Sequence, residues 1–380
     1  MTSTSHKRKK EIAIIAAVSL FILLFLIIAG CTQNSSSSTN PAGSSGAVSP
    51  ASSGADSPTY TIRANVNKDC SGTPWYVGVM KGYFVAGGIN FVDAGALDWS
   101  LQPAALVSGQ TDVVDEHPNT LIDLKLAGAN VTGVALSGQE PPEGDISEYH
   151  MHWLVLNSSP YYTIQDLVAN GHKPKIAVGA LGICADLENN AWFRANNLSN
   201  TSFQYVIMPD PQQEAALRSG QIDVAVLHPP FYTAAEKHGG VRVITTSYDA
   251  FGAQAGTSLL IFRDADIQQH PDEVRAFIKA YKNAERWSDN HLTESGILTA
   301  GVIGLANATP HYYSQSGAIT DDEIQPWIDA MVADGDIAPG QFKPSDLYTT
   351  EFSDTWVNET AVNGPDPVVP YPSLEKSTYD

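Results

Sequence analysis

Ser108-Gly109-Gln110-Thr111-Asp112-Val113 recurs as Ser219-Gly220-Gln221-Ile222-Asp223-Val224, a match at five of six positions. Each copy follows an amphipathic segment and leads into an apolar, β-branched one. The reading is therefore the same twice: a helix, a glycine turn that ends it, and a strand. Helix-to-strand chemistry alone accounts for the glycine, but less easily for the Ser, Gln, Asp and Val around it. The repeat predicts one α/β architecture built twice.

Around the first copy, apolar runs predict strands at 61–66, 89–92, 112–114 and 131–136, with helices at 75–81, 101–108 and 117–127 between them. Around the second, strands are predicted at 153–156, 175–178, 204–207, 223–227 and 241–244, with helices at 164–169, 184–196, 212–219 and 231–238. Strand and helix alternating at this spacing imply parallel pairing with crossover helices. A further strand at 258–262 then returns the chain to the first half. Pro271, Asp272 and Glu273 open a helix running to Asn290, as expected of a proline and acids in a first turn. Thr320 and Glu323 have capping-box spacing ahead of Ile324, Trp327, Ile328 and Met331, which share one helical face.

The 380 residues carry 21 Lys+Arg against 41 Asp+Glu, a net charge of −20. That balance excludes a nucleic-acid partner, since a polyanion is repelled at every approach. With 43% hydrophobic residues the chain can bury cores, and its length favours two lobes. Three cysteines make no disulfide scaffold, and a single long apolar run excludes a polytopic membrane protein.

That run, Ile12 to Gly30, follows the basic cluster His6-Lys7-Arg8-Lys9-Lys10 and ends in Ile28-Ala29-Gly30-Cys31. A basic cluster before an apolar run reads as an export signal, and the small residues before Cys31 resemble a lipobox, in which that cysteine receives a lipid. An uncleaved transmembrane anchor is the alternative. Thr32 to Pro58 is mostly Ser, Thr, Asn, Pro, Gly and Ala, a flexible spacer. Asn-x-Ser/Thr sites at Asn34, Asn130, Asn157, Asn197, Asn200, Asn307 and Asn358 fit an extracytoplasmic surface, bacterial or archaeal.

Several segments carry a family resemblance: Val79-Met80-Lys81-Gly82-Tyr83-Phe84, the two repeat copies, Lys175-Ile176-Ala177-Val178-Gly179, and the helix from His270 to Phe277. With the lipobox and spacer, they resemble the solute-binding lipoproteins of ABC importers, in the nitrate/sulfonate/taurine and thiamine-pyrimidine-precursor (NMT1/THI5-like) family. The resemblance implies a two-lobe, type II periplasmic-binding-protein-like α/β fold. Each lobe would be a mainly parallel sheet flanked by helices, and crossing strands near Tyr149–Trp153 and Tyr248–Ser258 would form the hinge. The chain would divide into a signal peptide (1–31), linker (32–58), lobe I (59–150), lobe II (151–252), the return to lobe I (253–345) and a tail (346–380). It implies a lipid-anchored, monomeric, extracytoplasmic protein that delivers a small molecule to a membrane permease, with no enzymatic activity and no cofactor. The family also has a pyrimidine-synthase branch that uses a cysteine-rich segment, which this chain lacks.

Ligands of open parallel sheets sit outside the carboxyl ends of the strands. Four loops qualify: Lys68–Trp75, Asp115–Asn119, Gly179–Asp186 and His228–Phe231. The candidate ligand-binding residues are accordingly Cys70, Thr73, Trp75, Glu116, His117, Leu181, Cys184, Asp186 and His228. Gly179 and Gly182 let backbone amides approach an anion at the start of the next helix. The same loops hold one cation, Lys68, against Asp69, Asp115, Glu116 and Asp186, so a nitrate or sulfonate would depend on amides and hydroxyls. A pyrimidine with N–H donors would instead find carboxylates, with Trp75 as a stacking face. Two of the acids have the usual place of helix caps. Cys70, Cys184, His117 and His228 offer a bridging or metal-ligating set without any local metal motif, so the leading expectation is no metal. His150 and His152 alternate as on a strand and face one side, a weak metal pair and, as the leading expectation, one face of a polar hinge.

Overall fold

The computed structural model describes residues 60–141, 146–306, 308 and 312–356. The export signal, Cys31, the spacer, Asn34, Asn307, Asn358 and the tail beyond Trp356 lie outside the described residues. Among the described residues no helix is long and apolar enough to cross a membrane.

Among the described residues ten strands form two sets. The first comprises β1 (Tyr60–Ala64), β2 (Ile89–Asp93), β3 (Val113–Glu116), β4 (Val131–Gly138) and β10 (Ser258–Arg263). The second comprises β5 (His152–Leu156), β6 (Lys175–Val178), β7 (Gln204–Ile207), β8 (Val224–Leu227) and β9 (Val241–Thr246). The second set is one sheet, ordered β7-β6-β8-β5-β9. The first is a β2-β1 pair and a β3-β10-β4 sheet. The Asp112 amide joins them by donating to the Arg63 carbonyl at 2.8 Å, giving the matching order β2-β1-β3-β10-β4.

The sequence repeat acts alike in both sets. Gly109 (φ 77°) and Gly220 (φ 73°) end their helices in the left-handed region, which a side chain would strain. Asp112 then accepts the Arg63 amide at 2.9 Å, and Asp223 accepts the Lys175 amide at 2.8 Å. In each set a carboxylate one residue ahead of a strand takes the free N–H of the neighbouring strand.

Neither sheet is wholly parallel. β10 runs antiparallel to β3 and β4, and β5 antiparallel to β8 and β9. Both are the strands that follow a passage of the chain from one set to the other, so they enter from the opposite end. The described parts of the passages, residues 139–141 with 146–151 and 247–257, hold bends, turns, a 3-10 turn (Ile146–Glu148) and a short helix (Ser247–Phe251) rather than the crossing strands expected. They are tied together: the Met151 amide donates to Ser247 Oγ at 3.0 Å, and the Ser247 amide to the Met151 carbonyl at 2.9 Å.

The long helix Pro271–Asn290 lies against the first set. Its Phe277 packs on Trp75 and Phe84 and its Tyr281 on Trp75, and Phe91 stacks on Trp75 and Phe84 in turn. Buried Lys282 on this helix pairs with buried Glu285 and donates to the Leu136 carbonyl at 3.1 Å. The helix Asp321–Asp334 has the expected capping box, with the Thr320 amide donating to Glu323 Oε2 at 2.9 Å.

Candidate functional site

A cavity of about 430 Å³ is lined by residues from both sets of strands. Most of its wall is made by the segments after β1 (Asn67–Ser71), β2 (Ala96–Trp99), β6, β7 (Pro209–Pro211) and β8, together with the end of β3 (Asp115–His117), and His150, Gly256, Ser258 and Tyr313 are among the residues that complete it. These are carboxyl-end segments, the position that parallel pairing dictates for a ligand.

Cys70, Glu116, His117, Cys184 and His228 all line the cavity. Cys184 is the first residue of the helix Cys184–Ala195 and is 5% exposed. Its sulfur lies 3.7 Å from His228 Nε2, and His228 Nδ1 donates to Asp210 Oδ2 at 2.8 Å. His117 Nδ1 lies 2.6 Å from the Thr257 carbonyl oxygen. A carbonyl only accepts, so Nδ1 carries the proton and Nε2 is the atom offered to the site. Burial opposes ionisation of Cys184, but His117 and His228 outweigh it and bring the thiol down to about 6. Burial also opposes the charged imidazole of His228, which Asp210 and Cys184 overcome, raising it well above its ordinary value. The pair therefore favours thiolate and imidazolium, a state suited to ligating a cation or to nucleophilic attack.

Glu116 is 6% exposed, and burial lifts its carboxyl to about 8. Its Oε1 has no hydrogen-bond partner among the described residues. Cys70 and Cys184 are both free, so they do not bridge. Burial pushes the Cys70 thiol well above its ordinary range, the opposite of Cys184, because no imidazole offsets it.

Four expected site residues fall elsewhere. Trp75 is 3% exposed and enclosed by Phe91 (5.3 Å between ring centres) and Tyr281 (4.7 Å), so it belongs to the core and offers no stacking face. Thr73 is fully buried, with its hydroxyl 2.6 Å from that of Thr299. Leu181 is exposed and outside the lining. Asp186 accepts the Gly182 amide at 2.8 Å, so the loop's anion-binding amide is already occupied by the chain's own carboxylate. Asp69 likewise caps Ser71, at 3.0 Å to its amide.

Sequence reasoning missed Trp99, Asp210 and the role of His150. The segments after β2 and β7 occupy equivalent places in the two sets, so the repeat itself was the available signal. His150 precedes β5 rather than lying on it, which removes the expected alternation with His152. It lines the cavity, with its ring 4.9 Å from His117 and 4.8 Å from His228. His152, 1% exposed, instead pairs with Glu236 at 2.7 Å.

Paired α/β sheets around a shared cavity define the periplasmic-binding-protein fold, and the solved structures agree. The ligand-binding component of an ABC-type import system from Staphylococcus aureus, solved with zinc bound, superimposes with a TM-score of 0.63 at 15% identity, covering 79% of this chain and 100% of that one. The periplasmic nitrate-binding protein NrtA of Synechocystis PCC 6803 gives 0.62 at 12% identity, over 79% and 89%. At such identities the likeness shows the fold alone. The chain belongs to the NMT1-like family, whose sequence profile matches residues 90–300, more than half its length. An Escherichia coli K12 protein named for aliphatic sulfonate binding is 26% identical over 204 residues, 53% of this chain. The match spans 58% of that relative's length.

Proposed function

We propose that this chain is the extracytoplasmic solute-binding component of an ABC importer. It captures a small molecule in the cavity by closing lobe II (151–252) on lobe I (59–150 with 253–345) and delivers it to a membrane permease. Cys31 carries the lipid anchor, residues 32–58 are the tether, and the protein acts as a monomer without enzymatic activity.

The observation that carries this reading is the origin of the lining: strand-end segments from both sets of strands share one cavity. Bonds between the sets support a closed form. Asn119 Nδ2 donates to the Gly182 carbonyl at 2.7 Å, and the Cys70 amide to the Pro229 carbonyl at 3.2 Å. Asp334 accepts Asn190 at 3.0 Å and pairs with Arg194.

The sulfonate and nitrate specificities of the relatives do not transfer easily. The lining holds Asp69, Asp98, Asp115, Glu116 and Asp210 against Lys68 alone among permanently charged cations. Glu116, lifted to about 8, is largely protonated at neutral pH and itself offers a donor or an acceptor, and His228 adds to Lys68. The excess of carboxyls still favours a solute that brings donors or positive charge over a bare anion. In a thermal-shift screen of metal ions, aminopyrimidines, sulfonates and nitrate, a cationic or donor-rich solute should raise the melting temperature, and Glu116→Ala should weaken it at least tenfold without unfolding the protein. Tight nitrate or sulfonate binding that is indifferent to Glu116→Ala would refute this assignment.

A further inference from the structure

Three side chains in this cavity bring metal-ligating atoms close together. One ligand atom each from His117, His150 and Cys184 lies within 4.8 Å of the others. They come from three separate places: the end of β3, the first passage between the sets, and the start of the helix Cys184–Ala195. We propose that His117, His150 and Cys184 form a binding site for one transition-metal ion of the zinc or copper class.

The donor set fits such an ion. Thiolate with imidazole suits zinc or copper, whereas calcium and magnesium require oxygen. Zinc bonds of about 2.3 Å to sulfur and about 2.0 Å to nitrogen set ligand–ligand edges of roughly 3.3–3.6 Å. The three atoms, within 4.8 Å of one another, would close to that spacing on taking up the ion. Three protein ligands leave a fourth tetrahedral position for water or for a donor atom of a solute.

The surroundings fit as well. Metal-bound histidines commonly donate their second nitrogen to a carbonyl or carboxylate, and His117 Nδ1 already does so to Thr257. His228, held by Asp210, stands 3.7 Å from the Cys184 sulfur and orients it. Charge is the independent observation. Glu116 Oε1 and both carboxyl oxygens of fully buried Glu188, one helical turn beyond Cys184, have no hydrogen-bond partner among the described residues. Buried polar atoms are rarely left so, and a cation within the cluster supplies the positive charge they lack.

The inference rests on the cavity being the solute site, but its test does not. Full-length protein, solubilised in detergent, reduced and stripped of metal, is titrated with cobalt(II) and then zinc(II). One equivalent of cobalt should produce tetrahedral d–d bands and a thiolate-to-cobalt charge-transfer band, which zinc abolishes. Cys184→Ser should lose the charge-transfer band. No such band with excess cobalt, or a band surviving in Cys184→Ser, overturns the site. Should that variant fail to fold, zinc should slow alkylation of Cys184 by iodoacetamide at least tenfold in the unaltered protein, and an unchanged rate overturns the site equally. Absence of metal binding beside a thermal shift from an aminopyrimidine would overturn the metal site while leaving solute capture standing.

Discussion

Asp289 sits near the end of the helix Pro271–Asn290, where its Oδ1 accepts the Tyr313 amide at 2.9 Å and its Oδ2 is buried without a hydrogen-bond partner among the described residues. Burial lifts its carboxyl from the ordinary 3.8 to about 8. Between those values the folded chain keeps a proton that the unfolded chain has released. Stability from this group therefore falls as pH rises through that window and levels off above it. Asp289→Asn retains an acceptor for Tyr313 and removes the titration. Urea midpoints from pH 5 to 8.5 should decline less steeply in the variant; parallel profiles would mean the carboxyl ionises normally. The same residue scale is where sequence reading succeeded least evenly. Glu116, His117, Cys184 and His228 were found because strand ends were legible. Trp75 was not, because an aromatic just after a loop looks alike whether it faces a cleft or a core. Its partners Phe277 and Tyr281 lie some two hundred positions away, beyond any local pattern.

Among elements, the helix Pro271–Asn290 is fixed to the first set of strands partly by the buried Lys282–Glu285 pair and the bond to the Leu136 carbonyl. Removing one member strands the other charge in the interior. Lys282→Met should lower unfolding free energy by about 3–5 kcal/mol, and Lys282→Met with Glu285→Leu should recover most of that loss. Additive losses in a chemical-denaturation cycle would contradict a direct pair. Elements with clear punctuation were legible: the helix Pro271–Asn290 has the predicted limits, and β6, β7 and the helix Phe231–His238 also match. The helix Leu292–Ile303 was not foreseen. Gly296 and Gly301, with β-branched Thr293, Thr299, Val302 and Ile303, weaken local propensity. Packing such as Thr299 on Thr73 decides it instead. The sense of β5 and β10 was also hidden, since strand direction depends on where the chain crosses between sets.

For the molecule as a whole, the repeat made the doubled architecture readable, and the matching strand orders give it physical form. The shared cavity and the approach of His150 to His117 and Cys184 arise only when both sets are assembled. The central claim is that the two sets close on a solute held between them. Small-angle X-ray scattering tests it most directly, using any solute from the screen that raises the melting temperature. The account predicts a smaller radius of gyration at saturation, and a weaker contraction in Asp334→Ala, which lacks the pairing with Arg194 and Asn190. An unchanged radius of gyration under saturating solute would contradict it.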